Sequence, residues 1–178
     1  MEESIAMRRS CRSFSEKELS YSHLSQLFWA AVGITDKKRG FKAYPSAGAL
    51  YPLEVFVLLP EGFFHYTADS HSLKKLSSND IRSNLMKACH NQSFVGNSPA
   101  VFVITAIFSR TMSRYGSRAE RYVLIEVGHT AQNLLLEATA LGLKAVPVGA
   151  FEDEAVKEVL PISAEYKTLY IIPVGFGK

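Results

Sequence analysis

The sequence holds only two cysteines, Cys11 and Cys89, and they fit no metal-ligand spacing. That is too few for a disulfide framework, and both are expected to be free thiols in a reducing cytoplasm. No apolar run approaches the ~20 residues of a membrane span. The first residues, MEESIAMRRSCRSF, lack the apolar core of a signal peptide, so export is not expected. Phosphate cradles are missing as well: no G-x-G-x-x-G follows a strand and no G-x-x-x-x-G-K-S/T occurs. His23, His65, His71, His90 and His129 fall in no metal spacing, and no G-x-S-x-G elbow marks a serine hydrolase. Excess charge of one sign is small too. The net charge is +3, with no basic stripe of the kind that marks a nucleic-acid reader.

What is present describes one globular domain over residues 1–178. Of the residues, 47% are hydrophobic and 21% charged, and a chain this long buries roughly 70% of its unfolded surface. Ser20 or Ser22 can cap a first helix carrying Leu24, Leu27, Phe28 and Ala31 at helical spacing, with Gly33 as its left-handed terminator. Thr35 to Ala43 reads as a polar surface loop. Strands are expected at Glu54 to Leu59, Phe63 to Tyr66, Leu73 to Leu76, Ala100 to Ile107, Lys144 to Ala150 and Leu169 to Val174. Ser78 or Asn79 can cap a second helix, and Asp153 a short one that stops at Pro161. Arg121 to Leu141 is the longest helical signal and nearly apolar all round, so burial on every side is expected, part of it by a second subunit. Gly128 and Ala131 would let another helix cross closely, and Gly142 closes the helix. The fold class is α+β.

A chain without the usual catalytic parts often delegates its chemistry to an organic cofactor, and three stretches suit one. In Arg8-Arg9-Ser10-Cys11-Arg12, guanidinium forks and a hydroxyl could clamp a phosphate, although a solvated basic terminus would look the same. In Pro45-Ser46-Ala47-Gly48-Ala49-Leu50 the small residues leave the backbone bare, so a flat ring could approach. Gly48 permits positive φ, and Ser46 offers a hydroxyl. In Pro147-Val148-Gly149-Ala150, the bare backbone exposes N–H groups at a strand exit. Taken singly, each also reads as a turn, a terminus or a strand end.

These segments, with RYVLIEVGHTAQNLLLEATALGL, resemble in order the FMN-dependent nitroreductase family, and more narrowly its SagB-type branch, named for oxidases of azoline-containing peptides. The resemblance implies a nitroreductase-like α/β sandwich, with a mixed, mainly antiparallel central sheet flanked by helices. It also implies an intertwined homodimer with FMN at the subunit interface. Arg8, Arg9, Ser10 and Arg12 match the segment that binds the FMN phosphate, ribityl chain and pyrimidine edge. Pro45, Ser46, Ala47 and Gly48, continued by Ala49 and Leu50, match the loop that the partner subunit brings to the same flavin. Pro147, Val148, Gly149 and Ala150 match the strand exit beside the ring, where a backbone N–H reaches flavin N5. Many members carry Glu where this chain has Gly149. Lys178 stands where the family often places another basic phosphate contact.

The activity implied is NAD(P)H-driven, ping-pong reduction of a small nitroaromatic, quinone or similar electron-poor acceptor. A cation near the flavin pyrimidine, Arg12 or Arg9, would stabilise the reduced anion. No nucleic acid and no membrane is implied. Peptide-oxidising members carry a Lys-Tyr pair before the long helix, where this chain has Arg114-Tyr115. Arginine stays protonated and makes a poor base; Tyr115 could cover the ring or donate a proton. An azoline-peptide dehydrogenase and a flavin-binding protein without turnover are the competing readings.

Overall fold

The computed structural model describes residues 1–178. Helix α1 (Glu2–Met7) leads to α2 (Tyr21–Val32), which starts at a reciprocal cap. The Ser20 hydroxyl accepts the His23 N–H at 3.2 Å, and His23 Nδ1 accepts the Ser20 N–H at 3.2 Å. Two of the helix's orphan donors are thereby satisfied. Gly33 does end α2, but in extended rather than left-handed conformation (φ −65°, ψ 155°). Glycine is needed there for space, since an added Cβ would lie 2.6–2.7 Å from Trp29. The expected polar loop contains a small hairpin, β1 (Ile34–Asp36) with β2 (Phe41–Lys42).

The main sheet follows from the apolar runs. Strands β3 (Leu53–Leu59), β4 (Gly62–Thr67) and β5 (Ser72–Ser77) form a meander. After α3 (Arg82–Ala88) and α4 (Ser93–Asn97) comes β6 (Ala100–Ala106), then α5 (Phe108–Tyr115), a 3-10 turn at Gly116–Arg118 and the long α6 (Ala119–Ala140). Strand β7 (Lys144–Ala145), α7 (Asp153–Val159) and β8 (Lys167–Gly175) complete the chain. The sheet order is β5-β4-β3-β6-β8-β7, and every neighbouring pair is antiparallel. One parallel bridge, Ser10 to Ala145, adds the N-terminal segment at the β7 edge and makes the sheet mixed.

Alternation within β3 explains the layering. Val55, Val57 and Leu59 join a core with α2 and α6 on one face. Phe56 and Leu58 join a second core with α3, α4 and α7 on the other. Each fully buried side chain of this size stabilises the fold by about 1.5–3 kcal/mol. No helix is long and apolar enough to cross a membrane.

Several local expectations are corrected. Neither Ser78 nor Asn79 caps α3; Ile81 holds that place, and Asp80 instead accepts the Arg82 N–H and binds its guanidinium. Asp153 is the first residue of α7 rather than its cap. The strand expected over 144–150 breaks after Ala145. Val146 still donates to the Pro173 carbonyl at 3.2 Å, Pro147 has no N–H to donate, and Val148 exchanges backbone hydrogen bonds with Ile171 at 2.8 and 3.1 Å. Within one chain α6 buries one face only, which leaves the part expected to lie under a second subunit open. Val123, Val127, Ala131 and Leu134 face the core, while Leu124 and Ile125 are about half exposed (51% and 48%) and Gly128 faces open space. Gly142 does close α6, at φ +72°, and the Leu143 N–H returns to the Ala138 carbonyl at 2.8 Å.

Candidate functional site

The N-terminal basic segment and the Pro147–Ala150 strand exit meet at one sheet edge. The Cys11 N–H donates to the Ala145 carbonyl at 3.1 Å, beside the Ser10 bridge. The C-terminus lies against the same segment: Phe14 pairs with Gly177, and the Lys178 N–H donates to the Ser13 carbonyl at 3.3 Å. Arg12 is exposed, with its guanidinium 5.8 Å from the centre of the Phe94 ring. Gln92 ties the strand exit down by donating to the Ala150 carbonyl at 3.0 Å. Gly149 and Ala150 are exposed, and neither amide N–H donates to a protein acceptor. Arg8, Arg9, Ser10, Arg12, Pro147, Val148, Gly149, Ala150 and Lys178 thus gather at one sheet edge as one candidate half-site.

Not every guanidinium in it is free. Arg9 Nη1 donates to the Ala6 carbonyl at 3.0 Å and the Arg8 carbonyl at 2.7 Å, so this fork curls back onto the end of α1. Helix C-termini leave carbonyls without partners, and a nearby arginine satisfies them. Arg8 and Arg12 make no ion pair with a carboxylate.

The Pro45–Leu50 loop forms the second half-site. It makes a short 3-10 turn at Ala47–Ala49, and three residues nearby have positive φ: Gly48 at 62°, Ala49 at 54° and Tyr51 at 46°. For Ala49 and Tyr51 that geometry is costly and must be held by surrounding contacts. The Arg110 guanidinium does so at one end, donating to the Tyr51 carbonyl at 3.1 Å while paired with Glu54 at 2.7 Å. The pairings with Arg110 and His65 hold the Glu54 carboxyl below its ordinary pKa, although burial alone would raise it.

Glu126 holds the other end. Its Oε1 accepts the Ala47 N–H at 2.9 Å. Ser46 Oγ accepts the Tyr51 N–H at 2.9 Å. The hydroxyl expected to face a ligand therefore serves the loop itself, and the exposed backbone of Gly48 and Ala49 is what remains outward. Glu126 is only 2% exposed, and its Oε2 has no partner. Burial pushes its pKa above the usual carboxylate range against the Ala47 hydrogen bond. Sequence reading passed over Glu126. The available signal was one acid on the apolar face of α6, between Val123 and Thr130.

Arg114 and Tyr115 close over this loop. A Cβ built on Gly48 would lie 2.9 Å from Tyr115 Oη and 3.0 Å from Arg114 Nη1. The pair before the long helix and the glycine of the bare loop thus belong to one surface.

The two half-sites do not meet within one chain. Leu53, directly after the loop, pairs with Ala106, whereas Ala100 and Ala145 both pair with Val174 at the other end of the sheet. Six strand steps separate them, ~20 Å. FMN fits the residues present: exposed cations for its phosphate, two unpartnered amides for its ring edge, and a glycine cradle that any Cβ would fill. No group of three or more His, Cys, Asp or Glu side chains is placed to hold a metal ion.

Comparison with known proteins shows the family. Residues 5–176 match the model of the Nitroreductase family. The nitroreductase-named protein MJ1384 of Methanocaldococcus jannaschii is 42% identical over 181 residues, covering 98% of this chain and 90% of that one. The microcin B17-processing protein McbC of Escherichia coli is 28% identical over 160 residues, covering 83% of this chain but 59% of McbC. A nitroreductase-named crystal structure from Ralstonia eutropha superposes with a TM-score of 0.89 at 26% identity, covering 98% of this chain and 81% of that one.

Proposed function

The chain belongs to the nitroreductase family, and from that premise we propose that it is an FMN-dependent NAD(P)H oxidoreductase. Its acceptors would be small electron-poor molecules, nitroaromatics or quinones. The observation that carries the reading is the strand exit: exposed Gly149 and Ala150, with unpartnered amides, beside the exposed Arg12. FMN, when bound, supplies a two-electron hydride acceptor at N5, and the protein needs no acid–base residue for that transfer.

The chain's own residues bind and orient. Arg8, Ser10, Arg12 and Lys178 would hold the phosphate and pyrimidine edge, and a Gly149 or Ala150 N–H would fix the ring. The Arg12 charge would favour the reduced anion. Gly48 and Ala49 would cover the cofactor held by a partner subunit, since one chain keeps its half-sites at opposite ends of the sheet. Helix α6 offers the surface for that partner through exposed Leu124, Ile125 and open Gly128. Tyr115 Oη, against the same loop, is the candidate proton donor at the acceptor.

A second reading, action on a peptide, is favoured by the similarity to McbC and by the Arg114-Tyr115 pair lying on the loop. It is disfavoured because Arg114 cannot serve as a base. The test is direct. The purified protein should be yellow, release FMN, and lose its flavin band within the mixing time when NADH or NADPH is added without oxygen. A protein that takes up no FMN would overturn the reading, and a flavin band that never bleaches would leave only a binding role.

A further inference from the structure

The arginines of this chain divide by their partners. Arg39, Arg82 and Arg110 are each paired with a carboxylate. The other six have none and fall into two groups: Arg8, Arg9 and Arg12 at the strand exit, and Arg114, Arg118 and Arg121 on the α5–α6 corner. The first group suits the cofactor phosphate. The second sits at the opposite half-site and has no assigned anion.

The second group is ordered against aromatic rings. The Arg114 guanidinium carbon is 5.6 Å from the centre of the Tyr115 ring. Tyr115 meets Tyr122 edge to face, with centres 5.1 Å apart at 87°. The Arg118 guanidinium is 5.9 Å from the Tyr122 ring centre, and its Nε donates to Tyr122 Oη at 3.2 Å. Cation, ring, ring and cation thus run along one surface, which begins at the bare Gly48. Rings hold the guanidinium planes by cation–π attraction, leaving their remaining N–H groups free for a planar anion. Such forks match carboxylate and phosphate oxygens two at a time.

We infer that Arg114 and Arg118, set on the Tyr115–Tyr122 pair, form a second anion site that takes the carboxylate or phosphate of a planar aromatic substrate. The inference rests on the proposed function for the meaning of "substrate". The shared chemistry is an aromatic system carrying an anion, and it has two sources: a carboxylated acceptor, or the 2′-phosphate that separates NADPH from NADH.

Equilibrium titration of the full-length protein, whatever its flavin content, separates these. Benzoate is compared with benzamide, and NADP⁺ with NAD⁺, on the unaltered protein and on Arg114→Gln/Arg118→Gln. Both arginines are exposed, and circular dichroism checks that the variant stays folded. The expected result is binding of at least one anionic probe about ten-fold or more tighter than its partner, with that preference lost in the variant. A benzoate preference assigns the site to the acceptor, and an NADP⁺ preference assigns it to the donor. Equal affinity within both pairs, or a preference that survives the double variant, would overturn the inference. A colourless protein that still shows the preference would fault the FMN reading alone.

Discussion

Glu126 accepts the amide hydrogen of Ala47 at 2.9 Å, across 79 positions of sequence, and so fastens the Pro45–Leu50 loop to the long helix. The carboxyl is buried, its second oxygen has no partner, and the orphaned hydroxyls of Tyr44 and Thr130 belong to the same apolar layer. A polar group this deep is retained at some cost in stability. What it provides is a loop with three positive-φ residues in one conformation.

Glu126→Ala removes the acceptor for the Ala47 N–H, a partly buried donor. The expected loss is about 1–3 kcal/mol of stability, read from urea unfolding. Glu126→Gln keeps an acceptor and should lose less.

The pH dependence has a definite sign. The folded-state pKa of Glu126 lies above its ordinary value of 4.5, mainly through burial. The native state therefore holds this proton longer than the unfolded chain does, and the stabilisation is full below 4.5 and fades as pH rises through the folded pKa. Melting temperatures of wild type relative to Glu126→Gln should fall as pH rises above that value. A difference that stays flat or climbs would contradict a raised pKa.

Gly48 tests the loop from outside. Gly48→Val imposes a β-branched side chain at φ +62° and drives its Cβ toward Tyr115 Oη and Arg114 Nη1. The backbone conformation alone costs about 1–2 kcal/mol, and the displaced pair should weaken FMN retention as well. Both are measurable, by thermal melting and by fluorescence of released flavin.

Arg12 and Arg9 should behave differently. Arg12→Ala is expected to weaken FMN binding by about 1.5–3 kcal/mol, the size of a charged hydrogen bond. Arg9 already donates to the Ala6 and Arg8 carbonyls, so Arg9→Ala should cost less affinity and loosen α1. Titration of flavin-free protein with FMN compares the two, and equal losses would mean that Arg9 leaves its carbonyls to reach the cofactor.

Ile125→Asp places a charge on the exposed face of α6 without touching the core. Sedimentation should show a dimer reduced to monomer, and FMN should be lost with it, because each half-site would lack its complement. A monomer that still binds FMN tightly would mean that the strand-exit half-site holds the cofactor without the partner's loop.

Much of the fold was legible because it rests on short-range patterns. The apolar runs of β3 and β6, the Ser20 cap and the Gly142 terminator depend on neighbours in sequence, and all appear where those patterns put them. The misses have local causes too. Pro147 interrupts an apolar run that otherwise reads as one strand, and Gly33 is required for room beside Trp29 rather than for a left-handed turn. Helix α5 was missed although Phe108, Met112 and Tyr115 stand at helical spacing, because the stripe spans only two turns and buries nothing but Thr111.

The three bare or basic segments were visible in the sequence because glycine, alanine and arginine declare themselves by what they lack or carry. Their arrangement was not. That Glu126 holds Ala47 and that Gly48 lies under Arg114 and Tyr115 are contacts between residues 66 to 79 positions apart. Sequence periodicity describes a residue's own neighbourhood, whereas contacts at that separation exist only once the sheet has set its strands in register. The sequence by itself determined the apolar strands, the main helices and the three bare or basic segments. Only the tertiary structure decided that those residues stand in two groups at opposite ends of the sheet, because an antiparallel register sends the start of β3 and the end of β8 to different edges of the molecule.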